Sequence, residues 1–364
     1  SRLDGSPSWV QLIRGRMPTR NDCSSTNITS IAVDSGGAIF VVGDYTGRAE
    51  IGSTTLQATR HDMFVAKYAD DGGLLWARGL GPGSRATGFD AAAASDGSLA
   101  VIGAVYGVFD TPTGTVGDDA TDPYTEDPID IADPFVLVLE PDGAMRWARV
   151  FPHTAPAFVQ CSDLAVTPDR DVVITCTARA SFSFGGHPIA AEGVRGMMAR
   201  FTPGGDLVWS VGIGALDTDS WMHAVEVTPG GAVITLAGEP PNLNATVRGF
   251  DAEGNERWIR RAQSGRADIR VFSIDQGGRV LLHGRTGGSA DFGLGRLASD
   301  DLFLLALAGD GTPLDQAIQT DNGRGPWRHF LAPLSDGSLA YTGAFDNREV
   351  PGNIVFGLLD PPAP

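Results

Sequence analysis

One pattern recurs along the whole chain, and it leaves few folds open. Between Ser30 and Trp76 it reads as an apolar run, Ile31-Ala-Val-Asp34, a Ser-Gly-Gly turn, and a second run ending Val41-Val-Gly43. A polar connection follows. Then come a third run, Met63-Phe-Val-Ala-Lys-Tyr68, a turn, Asp70-Asp-Gly-Gly73, and a fourth run, Leu75-Trp76-Ala-Arg78. Apolar residues alternate, as in Ile31/Val33 and Ile39/Val41, which is the period-two signature of half-buried strands. Copies of the first strand begin at Ile31, Ala91, Leu164, Val225, Phe272 and Leu331. Tight turns rich in Gly and Asp follow each, among them Ser95-Asp-Gly97, Thr167-Pro-Asp-Arg170 and Asp275-Gln-Gly-Gly278. These residues supply the positive φ that hairpin turns require. The tryptophan of the fourth strand returns at Trp147, Trp209 and Trp258, while Asp315 stands in its place in the fifth copy.

The ends complete this reading. Around Trp9 the chain carries a fourth-strand sequence with no strands before it, and Asn353 to Leu359 resembles a third strand with no fourth after it. The expectation is an all-β, six-bladed β-propeller of four-stranded blades, with units of roughly 60 residues. The ring is closed by the N-terminal strand completing the last blade. Residues 1–364 would form a single domain, the strand at about 7–14 pairing with the blade at about 331–360. Closure of this kind buries a strand edge that would otherwise be free to aggregate. An open stack or a two-domain β protein is the alternative.

Composition narrows the partners. Charged residues make up 20% and hydrophobic residues 42%, enough for a large core. The net charge of −17 argues against nucleic acid, whose phosphates need a basic face. Lys67 is the only lysine. No run is long and apolar enough to span a bilayer. Three cysteines, Cys23, Cys161 and Cys176, are too few for a disulfide scaffold. In a regular hairpin placing Val166 opposite Val172, Cys161 would sit diagonal to Cys176, so a bridge between them needs a bulge.

The unit resembles the SBBP-type β-propeller repeat of bacterial exported proteins. The matching residues are Ile31-Ala-Val-Asp34, Val41-Val-Gly43, Asp62-Met-Phe-Val-Ala-Lys-Tyr68, the Asp-Gly turn, Leu75-Trp76, and the Phe-Gly pairs Phe184-Gly185 and Phe292-Gly293. The resemblance covers nearly the whole chain. It implies export to the periplasm, the cell surface or the medium, often by a lipoprotein route with an anchor before processing. It carries over no catalytic residues.

Function in a propeller belongs to its loops and channel mouth. Aligning the connections that lead into each first strand gives an upper position, Asn27, Thr87, Gln160, Trp221, Asp268 and Trp327. It also gives a lower one, Thr29, Phe89, Ser162, His223, Arg270 and His329. Residues two apart on a regular strand face the same way, so Trp221/His223 and Trp327/His329 should each present one face. Asp268 and Arg270 come from the blade between. Two aromatic platforms, two imidazoles, a carboxylate and a guanidinium suit a sugar, a polyol or a polar peptide. The competing reading packs the tryptophans between blades. His223, His329 and Asp268 are also ligand types for a transition metal, without local spacing to support one.

The connection after the second blade's second strand is long and acidic, with Asp110, Asp118, Asp119, Asp122, Glu126, Asp127, Asp130 and Asp133. Calcium is the cofactor that carboxylates of loop 110–133 would take, and a solvated flap is the other reading. The corresponding connection Glu239 to Asn244 is very short, which would leave the face open beside Trp221. No nucleophile elbow, phosphate loop or dinucleotide fingerprint is present. The expected function is an exported, monomeric binding module for a polar small molecule, glycan, peptide or protein. The alternative is a hydrolase or lyase using His223, His329 and Asp268, with or without a metal.

Overall fold

The computed structural model describes residues 9–16, 25–81, 85–111, 114–117, 132–152, 158–216, 219–240, 244–262, 266–287, 290–298, 302–319, 328–333, 339–347 and 350–359, with backbone alone at 16, 59–60, 108–111, 114–117, 270–271, 302, 317–319 and beyond. All regular elements among them are strands, and none is a helix. The chain falls into two units, Ser1–Asp217 and Thr218–Pro364.

In the first unit, β1 (Ile13–Arg16) precedes three antiparallel meanders. The first is β2 (Thr26–Val33), β3 (Ile39–Ile51), β4 (Thr54–Tyr68) and β5 (Leu74–Leu80). The second opens with β6 (Arg85–Ala93) and β7 (Leu99–Tyr106), carries a small hairpin, β8 (Val108–Thr111) and β9 (Gly114–Gly117), and ends with β10 (Asp133–Leu139) and β11 (Met145–Val150). The third contains β12 (Val159–Val166), β13 (Val172–Ala178), the hairpin β14 (Phe182–Phe184) and β15 (His187–Ile189), then β16 (Arg195–Phe201) and β17 (Leu207–Ile213). First strands lie side by side. Asp90 of β6 accepts from Ser30 Oγ of β2 at 2.8 Å and from the backbone N–H of Leu164 in β12 at 3.4 Å.

In the second unit, one meander is β18 (Trp221–Val227), β19 (Val233–Glu239), β20 (Asn244–Phe250) and β21 (Glu256–Arg261). The next is β22 (Ala267–Ile274), β23 (Val280–Thr286), the hairpin β24 (Ala290–Asp291) and β25 (Arg296–Leu297), β26 (Leu302–Leu307) and β27 (Pro313–Gln319). The last sheet holds β28 (Arg328–Pro333), β29 (Leu339–Asn347) and β30 (Val350–Leu359), three strands among the described residues. No sheet closes on itself among the described residues. Of the stretch expected to complete the final blade, Ile13 and Arg14 pair with Ile51 and Glu50 of β3.

The fourth-strand tryptophans clasp neighbouring meanders. The indole N–H of Trp76 donates to Pro141 O, that of Trp147 to Pro203 O and that of Trp258 to Gly309 O, each at 2.9–3.0 Å. Trp9 does the same to Asp70 O at 2.8 Å. Each acceptor lies in the tight turn before the fourth strand of the following meander. The ring lies over that turn's glycine. A Cβ on Gly72, Gly143, Gly205 or Gly311 would stand 2.5–3.0 Å from the tryptophan, and all four have φ between 79° and 87°. Two residues on, Arg149 and Arg260 donate to the same glycines' carbonyls at 3.1 and 3.0 Å, and Gln11 to Gly72 O at 2.8 Å. The sequence Trp-x-Arg is therefore a packing device tied to the Gly turn.

A bulge recurs in the first hairpin. The pairing register slips between Ile28 and Ser30, Gly88 and Asp90, Cys161 and Asp163, Met222 and Ala224, and Ile269 and Val271. The extra residue is Thr29, Phe89, Ser162, His223 or Arg270. Two consequences follow for the expectations above. The two-residue alternation that put Trp221 and His223 on one face does not run through a bulge. The bulge at Ser162 also sets Cys161 directly opposite Cys176, and the two form a disulfide. The bulged strand crowds its partner. A Cβ on Gly43, Gly103 or Gly284 would meet Asn27 O, Thr87 O or Asp268 O at 2.0, 2.1 and 2.4 Å.

The connections between second and third strands are not all mouth loops. In the first, third and fifth meanders they fold as hairpins whose Ile51, Phe184, Phe292 and Leu297 are buried. The Phe-Gly pairs mark these hairpins. Phe182 and Phe184 join Phe151 and Phe201 in one aromatic cluster, with centroid distances of 5.1–6.4 Å. Only the fourth meander among these five makes a bare connection, from Glu239 to Asn244.

Candidate functional site at the loop end of the strands

Each meander has a turn end, where the Gly-rich turns lie, and an opposite loop end. The turn end is held by ion pairs, one of them buried. Lys67 lies 3.1 Å from Asp34, with Phe40 beneath its ammonium at 4.5 Å. Asp96 accepts from Arg146 and Arg170 at 3.2 and 3.0 Å. Burial opposes the charge of Asp96, but hydrogen bonds from Ser98, Arg170 and Arg146 hold its carboxyl well below the usual range. Arg170 is the one non-glycine with positive φ among the described residues, at 69°. That conformation costs about 1–2 kcal/mol, of which a partly exposed ion pair to Asp96 returns only a part.

The loop end varies from one meander to the next. In the first, Asn27 and Asp44 are register partners. Asp44 accepts from Asn27 Nδ2 at 3.1 Å and lies 2.9 Å from His61 Nε2. Burial pushes the Asp44 carboxyl up, but His61, Asn27 and the charge of Arg85 outweigh it and hold the carboxyl below its ordinary value. Tyr45 beside them is pushed up to about 12 by burial and by the charge of Asp62. Nothing in the one-dimensional pattern singled out Asp44, His61 or Arg85, because they meet only through the β3–β4 hairpin and the start of β6. Asp44 is satisfied from within the protein, so this cluster reads as an anchor for the hairpin.

In the fourth and fifth meanders the loop end carries Trp221, His223 and Asp268. Trp221 opens β18 opposite Gly238, and Asp268 in β22 is the register partner of Arg285. Trp221 is half-buried and His223 keeps part of its ring in solvent. The protein around the rest of the ring pushes the His223 imidazole below its ordinary value, and the charge of Asp268 opposes this without cancelling it. The structure therefore brings His223 within electrostatic reach of Asp268. Of the other expected site residues, Arg270 is described by its backbone alone, as the bulged residue of β22, and His329 by its backbone in β28 opposite Gly343. Trp327 lies outside the described residues, as do Cys23 and most of the acidic loop 110–133 expected to hold calcium. No group of three or more metal-ligating side chains occurs among the described residues.

Below Trp221 the short connection is braced by a buried ion network missed in the sequence. Glu239, 1% exposed, accepts from Nε and Nη2 of Arg248 at 2.8–3.1 Å and from Nη2 of Arg261 at 2.6 Å. Arg248 also binds Glu256. Asn244 Oδ1 accepts from the backbone N–H of Ala267 at 2.9 Å, tying the connection to β22. The site residues thus stand on a fixed base.

No family model matches the chain, and no curated protein matches it significantly. Among solved structures it is similar to the Dos1 propeller, with TM-score 0.48 and 8% identity over 87% of this chain and 75% of that one. It is also similar to an ulvan lyase, with TM-score 0.47 and 10% identity over 90% and 78%. A third is the microbial sialidase Hz136, with TM-score 0.44 and 12% identity over 92% of this chain. The chain spans 65% of that sialidase's length and 51% of a puromycin hydrolase's. Likenesses of this size say nothing of what the chain binds.

Proposed function

We propose that the chain is an exported binding module, a six-bladed β-propeller of the SBBP type closed between its two ends. It takes a polar glycan or peptide ligand at the loop end carrying Trp221, His223 and Asp268. The observation that carries this reading is that Trp221, His223 and Asp268 share one loop end over a braced connection, while the turn end repeats the same packing unit. A half-buried indole offers a stacking face, and a neutral imidazole beside a carboxylate offers a donor and acceptors. Trp221→Ala tests it. The variant should lose at least tenfold in affinity on a glycan or peptide array and melt as the parent does; unchanged binding overturns the site.

Two features support closure. Trp9 makes the same clasp on the first meander that the other tryptophans make on theirs. Ile28, Ile31 and Val33 of β2 are 55%, 60% and 58% exposed, whereas the equivalent Met222 and Val225 of β18 are 5% and 1% exposed. A chain lacking residues 1–12 should lose its single cooperative transition, and an unchanged transition would count against closure. The Cys161–Cys176 disulfide supports export, since such bonds persist in oxidising compartments. A hydrolase or lyase is the second reading, favoured by the imidazole held neutral beside Asp268 in the manner of a general base. Turnover abolished in His223→Ala, with binding retained, would establish it.

A further inference from the structure

The chain is acidic overall, but one short segment is not. Between Glu256 and Arg270 there are five arginines against two acids. Three of these arginines are used elsewhere or are described only in backbone: Arg257 pairs with Asp251, Arg260 binds Gly311 O at the turn end, and Arg270 is the bulged residue. The other two, Arg261 and Arg266, flank the connection from β21 to β22 at the loop end, Arg266 two residues before Asp268. Arg261 lends one nitrogen to Glu239 at 2.6 Å while its side chain stays 49% exposed. Glu239 is thus already occupied by Arg248, and its charge is spent inside the protein. Arg266 is exposed, with its backbone carbonyl fixed by the N–H of Gly287 at 2.8 Å. Arg285 follows on the strand beside Asp268.

We infer that the ligand of this site is an anionic oligosaccharide, with carboxylate or sulfate groups held by Arg261 and Arg266 and a sugar ring on Trp221; the inference rests on the site reading above. The forked guanidinium matches planar and tetrahedral oxyanions with two parallel hydrogen bonds. The aromatic face accounts for the sugar rather than an isolated anion. Trp221 begins the first strand of its meander and Arg261 ends the fourth, a separation of about 14 Å at the usual strand spacing. That span fits an oligomer better than a single ring. The net charge of −17 does not forbid such a ligand, because fields from distant carboxylates are screened beyond about 8 Å at physiological ionic strength.

The test is an array of uronate- and sulfate-bearing oligosaccharides, each paired with its neutral counterpart, together with poly-glutamate. It is read for the parent chain, for Arg261→Gln with Arg266→Gln, and for Trp221→Ala. Binding confined to the acidic saccharides, weakened at least tenfold in the arginine variant and by added salt, is the expected result. Equal binding of the neutral counterparts overturns the anionic ligand and leaves the Trp221 site standing. Retention of poly-glutamate alone, or of no probe, overturns the saccharide. Binding that survives Trp221→Ala but not the arginine substitutions overturns the site reading instead. The Arg266 side chain is exposed and lies only over Gly287 at the edge of the connection, so Arg266→Gln alone keeps the test interpretable should the double variant unfold.

Discussion

The two ends of the meanders obey different rules. At the turn end the same parts recur: a Gly with positive φ, a tryptophan over it donating to the turn, and a guanidinium two residues on. At the loop end corresponding positions hold Asn27, Thr87, Gln160, Trp221 and Asp268, and their register partners vary with them. Geometry explains the split. The turn end solves one packing problem repeatedly, how to dock a sheet on its neighbour. At the loop end no single contact recurs between neighbours, Asn244 reaching Ala267 in one place and His61 pairing with Arg85 in another, so side chains there answer to something other than one repeated docking problem.

The sharpest way to break this comparison is to exchange effects between the ends. Trp147 is 8% exposed and packs on Phe201 while donating to Pro203 O. Trp147→Ala should cost about 3–5 kcal/mol of stability, by cavity formation and loss of the clasp, and leave ligand affinity as it was. Chemical denaturation read beside the binding assay checks both. A large loss of affinity from Trp147→Ala would mean the two ends are not separable.

The bulge supplies a second contrast. Gly43 and Ala237 hold the same register position in the first and fourth meanders. A Cβ on Gly43 would lie 2.0 Å from Asn27 O and 2.6 Å from the Phe64 ring. Gly43→Ala should therefore destabilise by about 1–3 kcal/mol or more, as overpacking does, whereas Ala237→Gly should cost only about 0.5–1 kcal/mol of backbone entropy. Equal costs would show that the fourth meander's bulge is as tight as the first's.

Much of this was legible in the sequence and some was not. Period two, the Gly turns and the recurring tryptophan set out the strands, because each is local. The bulge was not legible. Its extra residue is Thr29, Phe89, Ser162, His223 or Arg270, with no common type to mark it, and Trp221-Met-His223 reads as plain alternation. The Cys161–Cys176 bridge depends on the same bulge, since only with Ser162 outside the ladder do the two cysteines face each other. The Phe-Gly pairs were visible as a motif, but their burial as hairpins was not, since it depends on the aromatic cluster they join. Asp44–His61 and Glu239–Arg248–Arg261 are contacts between strands far apart in the chain. No spacing announces them. Of the six expected binding residues, Trp221, His223 and Asp268 can be placed with their side chains, and these three share one loop end.

A smaller effect tests whether a polar group inside the sheet is a remnant or a part. Thr235 is fully buried in β19, and its hydroxyl finds no partner among the described residues, while the equivalent residues Val41, Val101 and Ile174 are apolar. An unmade hydrogen bond of this kind costs roughly 1–3 kcal/mol. Thr235→Val keeps the shape and removes the orphan, so stability should rise by about 1 kcal/mol, seen as a higher denaturation midpoint with unchanged slope. A fall would reveal a bound water or partner there.

The subtlest effect belongs to His223 and concerns pH. Its folded imidazole sits below the ordinary value of 6.5, so the unfolded chain holds more protons than the folded one as pH falls from that value. Stability then rises with pH across this window and is lost as pH drops from about 6.5 toward the lower folded value, because the proton favours the unfolded chain. The ring is partly in solvent, which keeps the effect small. His223→Gln should flatten the stability profile below about pH 6.5 without altering it above pH 7. If ligand binding uses the neutral ring, affinity should decline over the same window in the parent and not in the variant. A parent profile that steepens in the opposite direction would mean that Asp268 holds the imidazolium in place, and the charge at the loop end would have to be assigned the other way.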